Sequence, residues 1–134
     1  MTRSLARTTT LLLTMSVCLL SACSPIVIRG TVVPGEISVI AVVDADDPRL
    51  KQSGITDAKV TIRQTGRSGA VRQDTTGEFG RFAVPLDGTG ALSRPMMVEA
   101  EANGYLGAVE ASMPTPAPGQ ELLILLQPLR DTSP

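Results

Sequence analysis

Residues 58–63 read Ala-Lys-Val-Thr-Ile-Arg, a stretch in which apolar and polar side chains alternate strictly. Successive side chains of an extended chain point to opposite faces, so this alternation predicts a strand with one face on a core and the other in water. The predicted strand covers residues 59–63. Its inward residues are Val60 and Ile62, and its solvent-facing residues are Lys59, Thr61 and Arg63.

Six further segments have the composition of strands. Two of them, residues 80–84 and 96–101, also alternate and predict buried inner faces. The residues on those faces are Phe82, Val84, Met96, Val98 and Ala100. The other four are runs rich in Val, Ile, Leu or Ala, at residues 26–33, 37–43, 106–112 and 122–127. Turn residues separate the segments and no long helical pattern is present, so the sequence predicts one all-β domain, a seven-stranded β-sandwich.

Two polar or proline-rich segments lie between the predicted strands. Residues 44–53 (DADDPRLKQS) favour a loop with one helical turn. Residues 113–119 (MPTPAPG) contain three prolines, which fix φ and donate no main-chain hydrogen bond. We expect this second segment to be a stiff, extended connector that crosses one end of the sandwich, and not a domain boundary.

The first 22 residues contain three zones. Arg3 and Arg7 supply a positive start, residues 11–20 are predominantly apolar, and the small residues Ser21 and Ala22 follow. A run of about ten apolar positions is too short for a bilayer-spanning helix, which needs roughly 20 residues. The three zones instead predict a cleaved secretory signal peptide over residues 1–22.

The tetrapeptide Leu20-Ser21-Ala22-Cys23 resembles the lipobox of bacterial lipoproteins. In that motif the cysteine receives diacylglycerol, the preceding peptide is removed, and the new amino terminus is acylated, commonly with palmitate. The resemblance implies cleavage between Ala22 and Cys23, lipidation of Cys23, and a membrane anchor in the cell envelope. Residues 23–25 are then the lipidated N-terminus and a short tether. An ordinary secreted protein, cut after Ala22 with Cys23 as a free thiol, is the alternative.

Anchoring has consequences for both cysteines and for location. Each buried methylene contributes about 0.8 kcal/mol, so two or three acyl chains hold a protein firmly where one does not. Cys18 lies in the segment predicted to be removed, so Cys23 has no disulfide partner. Ser24 stands where inner-membrane lipoproteins usually carry Asp. Resemblance to lipoprotein sorting therefore implies the outer membrane, if the organism has two membranes.

Composition limits what the remaining chain is expected to do. Removing 22 of 134 residues leaves 112, the length of one domain, and removing Arg3 and Arg7 leaves 10 basic against 13 acidic residues. This mildly acidic chain, with scattered basic residues, does not suit a nucleic-acid partner. Without histidine there is no ordinary Ser-His or Cys-His activation and no common zinc site. Glu99, Glu101 and Glu110 are the carboxylates available for catalysis. Because Glu99 and Glu101 are predicted as neighbours on a solvated sheet face, we expect no catalysis by carboxylates and no cofactor.

Four short motifs occur in an order that resembles the carboxypeptidase regulatory-like domain. They are Gly30-Thr31-Val32, Ala58-Lys59-Val60-Thr61-Ile62, the stretch from Thr76 to Phe82, and Asn103-Gly104-Tyr105. The resemblance covers residues 26–128 and leaves 129–134 as a C-terminal tail. It implies a Greek-key-type, transthyretin-like (prealbumin-like) β-sandwich of seven strands. Within it, Gly77 and Gly80 are expected to permit the turn before Phe82, and Gly104 the turn before Tyr105.

The sequence departs from that family's pattern in two places. Gly77 stands where the family usually has Asp, and Asp74 lies three positions upstream. The connection between the first strand and the Ala-Lys-Val strand is also long, because residues 34–57 intervene. If this insertion carries a strand or a lid, function specific to this protein is expected there.

Three features are candidates for binding. Asp44, Asp46 and Asp47 are candidate calcium ligands, although a solvated loop is the simpler interpretation and the spacing is not that of an EF-hand. Tyr105 is a candidate sugar contact, against a structural tyrosine at a strand corner. Residues 37–43 or 122–126 are candidate edge strands that pair with an envelope protein.

These observations lead to one functional prediction and one alternative. The chain is predicted to be a non-catalytic envelope lipoprotein, a lipid-anchored β-sandwich that acts as a structural or protein-interaction module. The alternative is a carbohydrate- or calcium-binding module that uses the 34–57 insertion and the surface near Tyr105.

Overall fold

The computed structural model of the protein describes residues 26–65, 71–86 and 94–131. Within these ranges the chain forms nine strands and a 3₁₀ helix at Pro48–Lys51. The strands are β1 Ile26–Pro34, β2 Val39–Asp44, β3 Lys59–Gln64, β4 Val71–Thr75, β5 Arg81–Leu86, β6 Met96–Glu101, β7 Tyr105–Leu106, β8 Ala108–Met113 and β9 Gln120–Pro128. The predicted signal peptide, the cleavage site at Ala22 and Cys23, and the tether at residues 23–25 lie outside the described residues.

Each of the seven predicted segments contains a strand, and the described residues add two strands that the sequence did not predict. The first is β4, whose polar sequence Val-Arg-Gln-Asp-Thr is mostly exposed because it forms a sheet edge. The second is β7, because the predicted strand at residues 106–112 divides at Gly107. Its first part, β7, pairs with β9, whereas β8 joins the other sheet. The prediction of seven strands is therefore two short.

The strands form two sheets. Sheet A has the order β2-β9-β1-β5, with β7 also pairing with β9, and sheet B has the order β4-β3-β6-β8. β1 and β9 pair in parallel, and all other pairs in the described residues are antiparallel. Buried residues of both sheets meet in a single core cluster. The architecture is thus an all-β fold of two packed sheets, as in a β-sandwich.

The alternating segments place their apolar residues as predicted. Val60, Ile62, Val84, Met96, Val98 and Ala100 are fully buried in the shared core, and Phe82 is nearly so. Lys59 and Arg63 are exposed, also as predicted. Thr61 is the exception, with only 5% of its surface exposed. Gln73 of the edge strand β4 covers it, and the Gln73 Nε2–H donates to Thr61 Oγ1 over 3.2 Å.

The long insertion after β1 supplies the edge strand of sheet A and a helical turn that covers the outer face of that sheet. β2 pairs antiparallel with β9, and the 3₁₀ helix then carries Leu50 onto the outer face of sheet A. There Leu50, Val33 and Leu123 form a second buried cluster, with Val43 and Leu125 packed against it. The Thr31 hydroxyl reaches the carbonyl of Leu50 at 3.4 Å. The helical turn predicted within residues 44–53 is therefore present at Pro48–Lys51, and it adds a second buried cluster on the outer face of sheet A.

The motif at residues 76–82 joins the end of the insertion to the β4–β5 turn. Thr76 is buried, its hydroxyl donates to Ile55 O over 2.6 Å, and it accepts from the main-chain N–H of Ala58 at 2.9 Å. Gly80 has a φ of +71°, and a Cβ there would lie 2.5 Å from Val32 O. The need for glycine before Phe82 is therefore confirmed at Gly80. It is not found at Gly77, whose φ is not positive and whose Cβ would meet open space.

Candidate functional site

The sandwich has two ends, which carry different side chains. The proximal end is where β1 begins, and it also contains the end of β2 and the start of β9. The distal end is where β1 finishes, together with the start of β2, the end of β9, and β7. The segment that joins β8 of sheet B to β9 of sheet A crosses the proximal end, as predicted for the proline-rich connector.

An apolar cleft of about 390 Å³ opens at the proximal end. Its walls are the start of β1, Ala45 and the connector; the lining residues are Ile26, Val27, Ile28, Arg29 and residues 116–121. Pro116 is buried, whereas residues 117–120 and Val27 are exposed. The cleft was not predicted, because the sequence does not show that the connector returns beside the start of β1.

The candidate calcium ligands do not come together as a metal site. Asp44 ends β2 and is exposed, as is Asp46. Asp47 instead caps the 3₁₀ helix, where its carboxylate accepts from the main-chain N–H of Arg49 at 2.9 Å and from the Arg49 guanidinium at 2.8 Å and 3.0 Å. In the described part of the chain, no group of three or more Asp, Glu, Cys or His side chains is placed to hold a metal.

The bonds to Arg49 explain the charge state of Asp47. The side-chain hydrogen bond from Arg49 is the main cause that lowers the pKa of Asp47 from 3.8 to about 2, and the main-chain bond adds to it. The same pairing raises the pKa of Arg49. The Asp47 side chain is 17% exposed. Its chemistry is thus that of a helix cap that holds the turn carrying Leu50.

Tyr105 lies at the distal end, in the two-residue strand β7. It is half-buried, packs against the main core, and pairs with Pro128 of β9. Its main-chain N–H donates to Ala102 O over 3.2 Å, which closes the turn where Gly104 has a φ of +82°. This is the placement expected of a structural tyrosine at a strand corner. The interpretation of Tyr105 as a sugar contact stays a prediction.

The carboxylates considered for catalysis lie on strands and not in the cleft. Glu99 and Glu101 point to the outer face of sheet B, where Glu101 is 3.3 Å from Lys59 Nζ in a cross-strand ion pair. Glu110 is exposed on the edge strand β8, opposite Val98. Period-2 spacing thus separates Glu110 from the other two, because the side chain opposite Glu99 is Val109.

One of the two candidate edge strands is an edge, and the other is not. Residues 122–126 belong to β9, which lies between β1 and β2, so this prediction was wrong. The physical reason is burial of both faces, since alternate leucines of β9 enter the main core and the second cluster. β2, which holds most of residues 37–43, does form the edge of sheet A.

The register shows which main-chain groups β2 turns outward. The Ala45 N–H donates to Gly119 O at 2.9 Å, in line with the pairing of Asp44 with Gln120. In an antiparallel pair, hydrogen-bonded and non-bonded positions alternate. The main-chain polar groups of Ile40 and Val42 therefore point away from β9 and toward the edge.

The two long sides of the sandwich are bordered by different strands, β4 and β5 on one side and β2 and β8 on the other. Between β4 and β5, Asp74 accepts from the main-chain N–H of Thr75 at 2.8 Å and from that of Ala83 at 2.9 Å, so its carboxylate bridges the two sheets. Between β2 and β8, no strand pairing links the sheets in the described residues. The described residues show no strand pairing between β4 and β5 either, and Glu110 is exposed on β8, at the border opposite β2.

Exposed apolar residues at the distal end were missed by sequence reasoning. Ile37 is 61% exposed, Leu106 is 51% exposed and Leu129 is 59% exposed. They belong to neighbouring segments, because the Ser38 hydroxyl donates to Leu106 O over 2.7 Å and the Leu129 N–H donates to Gly104 O over 2.9 Å. Ile37 and Leu106 begin predicted strands and Leu129 begins the predicted C-terminal tail, so no local signal marks the three as one exposed group.

The structure therefore offers three surfaces for binding: the proximal cleft, the β2 edge and the distal apolar residues.

None of the helical structure in the described residues is long and apolar enough to cross a membrane. Comparisons with family models, with curated proteins and with solved structures find no match to this chain.

Proposed function

We propose that this protein is a lipid-anchored component of the bacterial cell envelope. The observation that carries the proposal is the order of features at its N-terminus. A positive start, an apolar run of signal-peptide length and Leu20-Ser21-Ala22-Cys23 are followed within three residues by the first strand at Ile26. This order leaves a short tether between a lipidated Cys23 and a folded domain.

The domain itself is proposed to be a non-catalytic structural or protein-interaction module of the transthyretin-like, Greek-key type found in carboxypeptidase regulatory-like domains. Its support is the structural use of the motif residues: Thr76 and Gly80 hold the turn before Phe82, and Gly104 permits the turn before Tyr105. The absence of histidine from the chain supports a non-catalytic role.

The β2 edge is the surface proposed to receive an envelope protein. Strand addition needs an extended edge with main-chain groups that point outward, and the register of β2 supplies these at Ile40 and Val42. The side chain of Val39 is partly exposed on the same strand. Such an edge allows affinity to come from main-chain hydrogen bonds without a deep pocket.

Anchoring is tested with Cys23→Ala and the matched variant Cys18→Ala. Cys23→Ala should abolish incorporation of labelled palmitate and move the protein from the membrane to the soluble or unprocessed fraction. Cys18→Ala should leave both unchanged, because Cys18 belongs to the segment proposed to be removed. If Cys23→Ala stays in the membrane fraction at the normal processed mass, the lipoprotein proposal is wrong.

The proposed outer-membrane location rests on Ser24 and needs an organism with two membranes. Ser24→Asp should move the lipidated protein to the inner-membrane fraction on a density gradient, with labelled palmitate still attached. Ser24→Ala is the control, because it changes the same position without adding a carboxylate. An unchanged distribution of Ser24→Asp would remove the support for this location.

A partner at the β2 edge is tested by photo-crosslinking in intact cells. A crosslinking amino acid at Val39 should give a discrete adduct, whereas one at Arg63, on the exposed outer face of the central strand β3, should not. Equal adducts at both positions, or none at Val39, would count against strand addition at β2 while leaving the anchoring proposal intact.

A further inference from the structure

The proposed anchor lies very close to one end of the sandwich. Only Ser24 and Pro25 separate Cys23 from Ile26, the first residue of β1, so the chain takes three residue steps between them. An extended chain covers at most about 3.6 Å per residue, so the start of β1 would lie within roughly 11 Å of the lipidated residue. The proximal end is therefore the part of the sandwich that a lipidated Cys23 brings to the bilayer.

The surface found at that end is suited to lipid. The cleft there is lined mainly by apolar residues, and Val27, Ala117 and Pro118 are exposed beside it. Apolar side chains gain free energy when they leave water for the bilayer interface. This apolar surface lies next to the proposed attachment point at Cys23. The bilayer is therefore the partner that lipidation would bring into contact with it.

The connector also satisfies its own main-chain groups where it turns. The Gln120 N–H donates to Ala117 O at 2.9 Å, and the Ala117 N–H donates to the Gln120 side chain at 3.0 Å. Gly119 O accepts from Ala45 N–H at 2.9 Å. Proline at position 118 has no N–H to satisfy. The turn thus avoids much of the cost that unpaired main-chain groups incur when they leave water.

We propose that the proximal end docks on the lipid surface, with Val27 and the turn at residues 117–120 in contact with the bilayer interface. This inference rests on the proposed lipidation of Cys23. The sandwich then stands end-on, and the distal residues Ile37, Leu106 and Leu129 face away from the membrane. β1 has nine residues, so the distal end lies roughly 25–30 Å from the proximal end.

Charges at the proximal end set the depth of the contact. Asp44, which pairs with Gln120, and Glu121 adjoin the turn, and Arg29 also lines the cleft. Carboxylates are costly to take out of water, so the contact is shallow and interfacial. Neutral lipid vesicles are therefore the appropriate test surface, because anionic lipids would repel these carboxylates.

The test uses the full lipidated protein in phosphatidylcholine vesicles that contain a nitroxide-labelled lipid. An environment-sensitive fluorophore is attached at Pro118→Cys or, as the distal control, at Asn103→Cys, both exposed positions. Cys23 carries lipid and Cys18 has been removed with the signal peptide, so neither competes for the label. Quenching at position 118 should be severalfold stronger than at position 103.

A second variant separates docking from tethering alone. Ten Gly and Ser residues inserted between Pro25 and Ile26 add a flexible span of roughly 17 Å. If the proximal end docks, quenching at position 118 persists on this long tether, and Ala117→Asp reduces it to the level at position 103. If the long-tether protein with Ala117 unchanged shows no more quenching at position 118 than at position 103, the docking proposal is overturned.

Palmitate labelling of the same samples distinguishes the two proposals. Labelled protein with no preferential quenching at position 118 overturns docking and leaves the anchor standing. Protein without lipid overturns the anchor, and docking as proposed fails with it. A thermal melt of Ala117→Asp close to that of the parent protein shows that reduced quenching does not come from unfolding.

Discussion

The two sheets of the sandwich differ in the number of faces that are covered. In sheet A, the central strand β9 buries Leu122 and Ile124 in the main core and Leu123 in the cluster beneath the 3₁₀ helix. In sheet B, the central strand β3 buries Val60 and Ile62 on one side and exposes charged side chains on the other. Sheet A is therefore a middle layer, and sheet B is an outer layer.

The difference is already present in the sequences of the two strands. Residues 59–63 of β3 alternate as Lys-Val-Thr-Ile-Arg, whereas residues 122–126 of β9 read Leu-Leu-Ile-Leu-Leu without a polar residue. A continuous apolar run indicates that both faces are buried, and alternation indicates that one is. The continuous apolar run at residues 122–126 is what a doubly covered central strand requires, which is why the prediction of an edge there was wrong.

The largest expected effect comes from truncating neighbouring leucines on opposite faces of β9. Leu122→Ala should lower the free energy of unfolding by about 3–5 kcal/mol, and Leu123→Ala by about 2–3 kcal/mol, because both side chains are fully buried but the second cluster is smaller. Urea denaturation of the soluble Cys23→Ala protein without its signal peptide measures both. A loss below about 1 kcal/mol for Leu123→Ala would show that the outer face of sheet A is not covered in solution.

The covering residue itself provides the next test. Leu50 is 2% exposed and lies 17 residues after β1 residue Val33, which it contacts within the same cluster. Leu50→Ala should cost about 2 kcal/mol, whereas Leu129→Ala, at an exposed position, should cost close to nothing. In a double-mutant cycle, Leu50→Ala and Leu123→Ala should cost less together than the sum of the single changes, because they share one cluster. Additive losses would contradict a shared cluster.

The half-buried strands of sheet B were the most predictable part of the fold. At residues 59–63 and 96–101, alternation alone indicates both the strand and its inner face, because one face of sheet B meets water. The prediction that Thr61 faces water was wrong, because Gln73 of β4 lies over its side chain and donates a hydrogen bond to it. That polar edge strand has no apolar pattern for sequence reasoning to detect.

The candidate surfaces were less predictable, because each depends on a contact between distant segments. The proximal cleft requires the connector at residues 116–119 to return beside Ile26, and the cover on sheet A requires Leu50 to reach Leu123. Local periodicity contains no information about either approach. The sequence nevertheless singles out the insertion as a place to expect function specific to this protein, because it is longer than the corresponding connection in the family that the chain resembles.

Thr76 tests the junction between the insertion and sheet B, and the expected effect is smaller. Thr76→Val keeps the side-chain shape but leaves the Ala58 N–H and the Ile55 carbonyl without their partner, at a cost of about 1–2 kcal/mol. Thr75→Val is the matched control, because Thr75 is exposed on the preceding position. Similar melting temperatures for the two variants would show that this junction does not stabilise the fold.

The smallest expected effect concerns the pH dependence of the cover on sheet A. Because the pKa of Asp47 is lowered to about 2 from an ordinary value of 3.8, its ionised form stabilises the folded state. That contribution is fully present above pH 4 and is lost as the pH falls from about 4 toward 2. Asp47→Asn should remove it, so the melting temperature of the variant should fall less steeply with acid than that of the parent over this window.

Asp46→Asn provides the comparison, since Asp46 is a neighbouring exposed carboxylate with no ion pair to Arg49. Melting curves of all three proteins between pH 7 and pH 2 at low salt measure the effect. Steeper acid dependence in Asp47→Asn than in Asp46→Asn would show that Asp47 does not stabilise the turn. We expect Asp47→Asn to flatten the profile more than Asp46→Asn does. That result would tie the charge state of Asp47 to the turn that carries Leu50 over sheet A, a feature that sheet B lacks.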